Sequence, residues 1–257
     1  MTLDPRLNGV FPALVTPLAA DGASVDVPSL KRLIDYVLAA GVSGVVVLGG
    51  TGEYTALSMA ERERVIAEAV AHVGGRVPVV VGIVSPGIGD AVQVAQAAER
   101  SGADYLMPIT PYYVIPRQDG IIAWFEQLAD VTALPIILYN IPSRTGVNLQ
   151  PSTVVQMTDR IERIVGIKEC NTSLGHFCGL VALAGDRLAI LSGEDHYALP
   201  EFMLGARGAI LASANVVPGH WSRLFQAVQS GAHDEAWAIF LRLMPLLDAL
   251  FAETNPG

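Results

Sequence analysis

Arg163-Ile164-Val165-Gly166-Ile167-Lys168-Glu169 reads as a short strand, apolar on both faces, that stops on a lysine. A run of this kind belongs in a parallel sheet buried on both sides. The lysine is out of place there unless something uses it. Burying an ammonium is costly, and the usual relief is loss of its proton. At an ordinary pKa of about 10.4, roughly one lysine in two thousand is neutral at pH 7. Lowering that pKa by about three, equivalent to about 4 kcal/mol, makes a large fraction of the amine a nucleophile for Schiff-base chemistry. The competing reading is a lysine that has left its strand for water, where most lysines lie.

Working outward, the same kind of run recurs. Strands are expected at residues 10–16, 44–48, 77–84, 104–108, 135–139, 163–168, 188–191 and 208–212. Helical patterns fall at 27–40, 58–73, 89–101, 118–131, 151–158, 174–184 and 196–204, with two more at 220–230 and 233–252. Asp26 is an N-cap, Ser58 and Glu61 have capping-box spacing, Pro151 opens a helix, and Gly41 closes one. Eight strand-then-helix units with no break in composition predict an α/β fold, a single (β/α)8 TIM barrel. The barrel is assigned to residues 1–220, and a C-terminal helical extension begins at 221–257. A doubly wound sheet would show fewer strands and a Gly-rich nucleotide turn after the first one.

Composition agrees. The 257 residues are 51% hydrophobic and 16% charged, enough for a large core. A net charge of −9 repels phosphate backbones and argues against a nucleic-acid partner. No apolar run approaches the roughly 20 residues of a membrane span, and MTLDPRLNGV does not resemble a secretory signal. The mean hydropathy of +0.43 is what a fully buried parallel sheet requires. Cys170 and Cys178 form no disulfide or zinc pattern, so a cytoplasmic protein is expected. His72, His176, His196, His220 and His233 lack metal-ligand spacing and read as surface or packing residues.

Barrel enzymes carry their chemistry at the C-terminal ends of strands. Polar and titratable residues gather there: Gly49-Gly50-Thr51-Gly52-Glu53, Thr110-Pro111-Tyr112-Tyr113, Tyr139-Asn140, Arg144, Lys168, Ser192-Gly193-Glu194-Asp195 and Ser213-Ala214-Asn215. On such a rim Lys168 reads as functional. Tyr139 ends the neighbouring strand, and its phenol could pass protons to a carbinolamine. Arg144 suits a carboxylate, and the turn at 49–52 could hold one with the Thr51 hydroxyl. Glu53 is expected to hydrogen-bond backbone near a helix start. Tyr112-Tyr113 reads as an interface pair. Glu194-Asp195 is read as a helix start in preference to a cation site.

GVFPALVTP, GGTGE, TPYY, YNIPSRTG, GIKE and SGED together resemble the dihydrodipicolinate synthase / N-acetylneuraminate lyase superfamily of class I aldolases, from about residue 8 to 256. The resemblance implies a homotetramer or dimer of dimers with no cofactor, holding pyruvate or another 2-oxo acid as a Schiff base on Lys168. By position, it makes Tyr139 the proton-relay tyrosine and Thr51 with its turn the carboxylate holder. Tyr113 becomes the tyrosine lent across a dimer interface, Arg144 the residue for the second substrate's carboxylate, and Ile210 the packing under bound pyruvate. Its leading reaction is condensation of pyruvate with aspartate semialdehyde. One alternative is cleavage or dehydration of a 2-oxo-3-deoxy sugar acid, suggested by Gly50 standing where the synthase branch carries threonine. Another is a non-catalytic barrel that binds 2-oxo acids. The resemblance also implies further C-terminal helices past Pro256.

Overall fold

The computed structural model describes residues 3–256. Eight parallel strands stand in sequence order: β1 (Gly9–Pro12), β2 (Val45–Val47), β3 (Val79–Ile83), β4 (Tyr105–Pro108), β5 (Ile136–Asn140), β6 (Ile164–Glu169), β7 (Ala189–Ser192) and β8 (Gly208–Leu211). β8 pairs with β1, and an Ala13–Val46 bridge closes the ring, with Leu14 N donating to Val46 O at 2.8 Å. The helices are α1 (Val27–Ala39), α2 (Met59–Val73), α3 (Ile88–Ser101), α4 (Gln118–Ala129), α5 (Pro142–Thr145), α6 (Pro151–Arg160), α7 (Leu174–Ala184), α8 (Ala198–Met203), α9 (Pro218–Gln229) and α10 (His233–Leu250). The expected TIM barrel is present.

Two apolar cores explain why the strands are apolar on both faces. One fills the barrel interior and includes Phe11, Val46, Val80, Met107, Ile137, Leu191 and Ile210. The other lies between strands and helices and includes Val45, Val47, Val81, Leu138, Ile167 and Ile190. Alternate residues of one strand feed the two cores. A register shift between β5 and β6 lets Val165 bulge, so Ile136 opposes Ile164 but Ile137 opposes Gly166. One residue of slip exchanges the two faces of a strand. The bulge therefore sets the phase that opposes Tyr139 to Lys168.

Differences from the sequence reading have local causes. β1 is shorter than expected: Ala13 and Leu14 still bond to β8 and β2, but from Val15, whose N donates to Asn215 Oδ1 at 3.1 Å, the chain bonds elsewhere. β6 does not stop at Lys168 but continues to Glu169, whose fully buried carboxylate accepts from Asn140 Nδ2 at 2.8 Å and Asn171 N at 2.7 Å. The short α5 lies inside the SRTG loop, opened by Pro142 and closed by Gly146 at φ 69°. The helix expected at 196–204 starts as a 3-10 turn, Asp195–Tyr197, before α8.

Asp26 caps α1 by accepting from Ser29 N, and Ser58 caps α2 by accepting from Glu61 N. Glu61 does not complete the capping box; its carboxylate accepts from Val25 N at 2.7 Å and ties α2 to the loop before α1. α9 packs on β1, and α10 packs on α9. No helix among the described residues is long and apolar enough to cross a membrane.

Candidate active site

The strand ends place a cavity of about 600 Å³ at the C-terminal mouth of the barrel. Gly50, Thr51, Tyr139, Arg144, Lys168, Gly193, Glu194 and Asp195 line it. Five of the seven residues expected to bind or react thus meet in one place. Ile210 lies below, fully buried on β8 in the interior core that also contains Tyr139. Tyr113 does not join them: it is 92% exposed on the loop after β4, beside the exposed Val114 and Ile115.

Lys168 is 7% exposed, and its Nζ stands 4.5 Å from the centroid of the Tyr139 ring. The amine is buried as expected, but its proton affinity is not lowered. Burial pushes its pKa down; Tyr139, Cys170, Glu194 and Asp195 push it up, and the net direction is upward. Tyr139 and Cys170 push hardest, and the two carboxylates from the loop after β7 push in the same direction. The expectation of a resting free amine is thereby corrected. Burial also raises the Tyr139 phenol, opposed by Lys168, so Tyr139 stays protonated and can act as an acid.

The Gly-rich turn approaches because its neighbours leave room. A Cβ on Gly82 of β3 would lie 2.8 Å from Gly49 N. Gly52 N donates to Gly49 O and Glu53 N to Gly50 O, closing the turn. The amides of Gly50 and Thr51 have no protein acceptor among the described residues, which suits a carboxylate. Glu53 does not cap a helix with its side chain; its backbone adopts the left-handed conformation at φ 54°. Leu48 (φ 59°) and Tyr113 (φ 73°) share that conformation. Each such residue costs about 1–3 kcal/mol, and all three lie on loops at this end of the barrel.

Gly193 packs against the lysine stem. A Cβ there would lie 2.9 Å from Lys168 Cε, 2.9 Å from Glu169 O and well inside contact distance of Cys170 Sγ. Cys170 was not singled out, and Gly193, although it stands in the SGED motif, was given no role. Asp195 is buried and accepts from Ser213 N at 2.8 Å and from the Ser213 hydroxyl, pinning the β7 loop to the end of β8. Glu194 stays within the cavity, its carboxyl raised by burial and lowered by Lys168. The reading of these two as a helix start holds: Glu194 is the cap position, without a side-chain cap bond, and Asp195 opens the 3-10 turn.

The segment after α10 crosses the mouth. Asn255 Nδ2 donates to Thr51 Oγ1 at 2.9 Å, and Arg144 Nη2 donates to Asn255 O at 2.8 Å. Residues 251–255 complete the cavity wall, which the sequence did not signal because nothing in Phe251–Asn255 carries a periodic or motif-like pattern. Among the described residues, no group of three or more His, Cys, Asp or Glu side chains is arranged to hold a metal ion.

The model of the dihydrodipicolinate synthetase family matches residues 6–257. The chain belongs to this family. The 4-hydroxy-tetrahydrodipicolinate synthase of Syntrophus aciditrophicus is 40% identical over 249 residues, covering 97% of this chain and 84% of the relative. The same-named enzyme of Methanococcus vannielii is 39% identical over 250 residues, covering 97% and 85%. The crystal structure of the dihydrodipicolinate synthase from Acinetobacter baumannii, complexed with pyruvate, superposes with a TM-score of 0.93 at 34% identity. That match covers 97% of this chain and 85% of the other.

Proposed function

We propose that this chain is a pyruvate-dependent Schiff-base lyase that condenses pyruvate with aspartate semialdehyde, the reaction of a 4-hydroxy-tetrahydrodipicolinate synthase. The observation that carries the reading is a lysine amine buried against a tyrosine ring at the floor of a polar cavity. Family membership and the names of the relatives support the substrate pair.

The residues take these roles. The Gly50–Thr51 amides and the Thr51 hydroxyl hold the pyruvate carboxylate, and Ile210 packs beneath it. The Lys168 ammonium attracts that anion and must release its proton before attack. The free amine adds to the ketone carbon, and Tyr139 donates a proton to the departing hydroxyl, so that water leaves and the imine forms. Tyr139, left as a phenolate, takes a proton from the imine's methyl carbon, and the resulting enamine carbon attacks the aldehyde. Arg144 receives the second substrate's carboxylate. No separate cofactor takes part in this scheme.

Tyr113 reaches none of these groups within one chain. Its exposure, its left-handed backbone and the exposed Val114 and Ile115 support a role at a subunit interface, where it would complete the relay in a neighbouring copy of a homotetramer. The Gly50 position supports a second reading. It is open space, with no atom within 4 Å of a Cβ placed there, and a 2-oxo-3-deoxy sugar acid could use that room.

The deciding experiment is reduction with borohydride in the presence of pyruvate. It is expected to add one stable pyruvate-derived mass at Lys168 and none in Lys168→Met. A Lys168 left unmodified, under conditions that trap a control aldolase, refutes the reading. Pyruvate consumption dependent on aspartate semialdehyde then separates condensation from sugar-acid cleavage.

A further inference from the structure

Arg144 and Glu194 line one cavity from opposite flanks of Lys168. Arg144 comes from α5, just after β5, and Glu194 from the loop after β7; β6, with Lys168, runs between. Their charges act on one another, yet among the described residues neither is in an ion pair. The separation is built into the backbone. Arg144 Nη2 is held by Asn255 O at 2.8 Å. Glu194 sits between Gly193, whose N donates to Glu169 O at 2.7 Å, and Asp195, which is fastened to Ser213. Tyr197 N closes the same loop on Glu194 O at 3.0 Å.

A cation and an anion on tied loops either side of Lys168, lining one polar cavity without pairing, complement a ligand that carries both opposite charges. An α-amino acid is such a ligand. Of the other carboxylates in the wall, Asp195 is buried and taken up by Ser213, and Glu253 is on the exposed crossing segment, where an ammonium would stay hydrated and gain little. Glu194 is half-buried beside the reacting amine, where a charge pair is screened less.

We propose that Glu194 determines specificity for the second substrate: its carboxylate receives the α-ammonium while Arg144 takes the α-carboxylate, so the site selects an amino-acid aldehyde over the same aldehyde without its amino group. This rests on the Schiff-base reading of Lys168 above. It adds a residue whose effect depends on one functional group of the substrate, which makes it separable from any general disturbance of the lysine.

The test uses the full chain and two aldehydes, aspartate semialdehyde and its des-amino analogue succinate semialdehyde. Glu194→Gln is expected to raise KM for aspartate semialdehyde about 10- to 100-fold while Ki for succinate semialdehyde stays within about twofold. Glu194→Asp, which keeps the charge, is expected to recover most of the loss, and Glu253→Gln to leave both constants within about twofold. A rise of both constants together in Glu194→Gln, a change in neither, or an effect carried by Glu253→Gln overturns the proposal. Pyruvate trapping in the same preparations keeps the two levels apart. Trapping and turnover with unchanged discrimination sink the Glu194 assignment alone, whereas no trapping in the unmodified chain sinks the Schiff-base reading and this inference with it.

Discussion

Gly193→Ala is the most informative single perturbation of the barrel mouth. The new methyl would lie 2.9 Å from both Lys168 Cε and Glu169 O and would overlap Cys170 Sγ. Ordinary contact begins at 3.4 Å, so Lys168 Cε must retreat by about half an ångström, and a backbone carbonyl must move as well. Overpacking of this kind costs about 1–3 kcal/mol, and a clash with backbone belongs at the upper end. For a chain of this size, about 3 kcal/mol lowers Tm by about 6–12 °C. The lysine suffers more than the fold, since a displacement of about 1 Å can cost about 100-fold in rate. Pyruvate trapping should therefore slow by about 10- to 100-fold. Adding Cys170→Ala removes the sulfur overlap and should return part of the Tm, but not the trapping rate, because the Lys168 and Glu169 contacts persist. Gly193→Ala with unchanged Tm and unchanged trapping would show that the glycine does not set the lysine's position.

Three further outcomes follow from the electrostatics and the open space. The pKa of Lys168 is raised, so the reactive free amine remains a minority well above neutrality; the rate of cyanoborohydride trapping should climb about tenfold per pH unit from pH 6 to 8, and a plateau above pH 7 would mean the amine is depressed instead. Glu201 of α8 is fully buried without a hydrogen-bond partner, and burial raises its carboxyl from 4.5 to about 8. The Ser192 hydroxyl opposes the rise, and Glu169 and Glu194 add to it. Because the folded value lies above the unfolded one, its contribution to stability is complete below about pH 4.5 and is lost as pH rises through 8, up to about 5 kcal/mol. Glu201→Gln should hold its Tm across that window while the unmodified chain falls relative to it by about 10 °C; parallel Tm profiles would refute this. Gly50→Thr should fold with Tm unchanged, since nothing lies within 4 Å of the new Cβ, and should raise kcat about tenfold if a hydroxyl there shortens the proton path; an unchanged or lower kcat rules that path out.

The barrel was legible in the chain because its evidence is local. Strands such as Val79–Ile83 and Ile164–Glu169 are apolar at successive positions, helices such as Leu174–Ala184 are bounded by their own capping residues, and these patterns extend only a few residues. The rim followed from chain order alone, because a βα barrel turns every strand end to the same face. Lys168, Tyr139, Thr51 and Arg144 could therefore be placed together before any coordinates, and the cavity contains all four. What tertiary structure decided is whatever depends on distances between segments far apart in sequence. The proton affinity of Lys168 is set against burial by Tyr139 on the preceding strand, by Cys170, and by Glu194 and Asp195, which arrive with the next strand. The need for glycine at 193 appears only when Cys170 and Lys168 lie beneath it. The wall formed by Asn255 joins Thr51 and Arg144 from the far end of the chain. A field or a clash sums over neighbours in space, and no window of sequence contains those neighbours until the ring has closed.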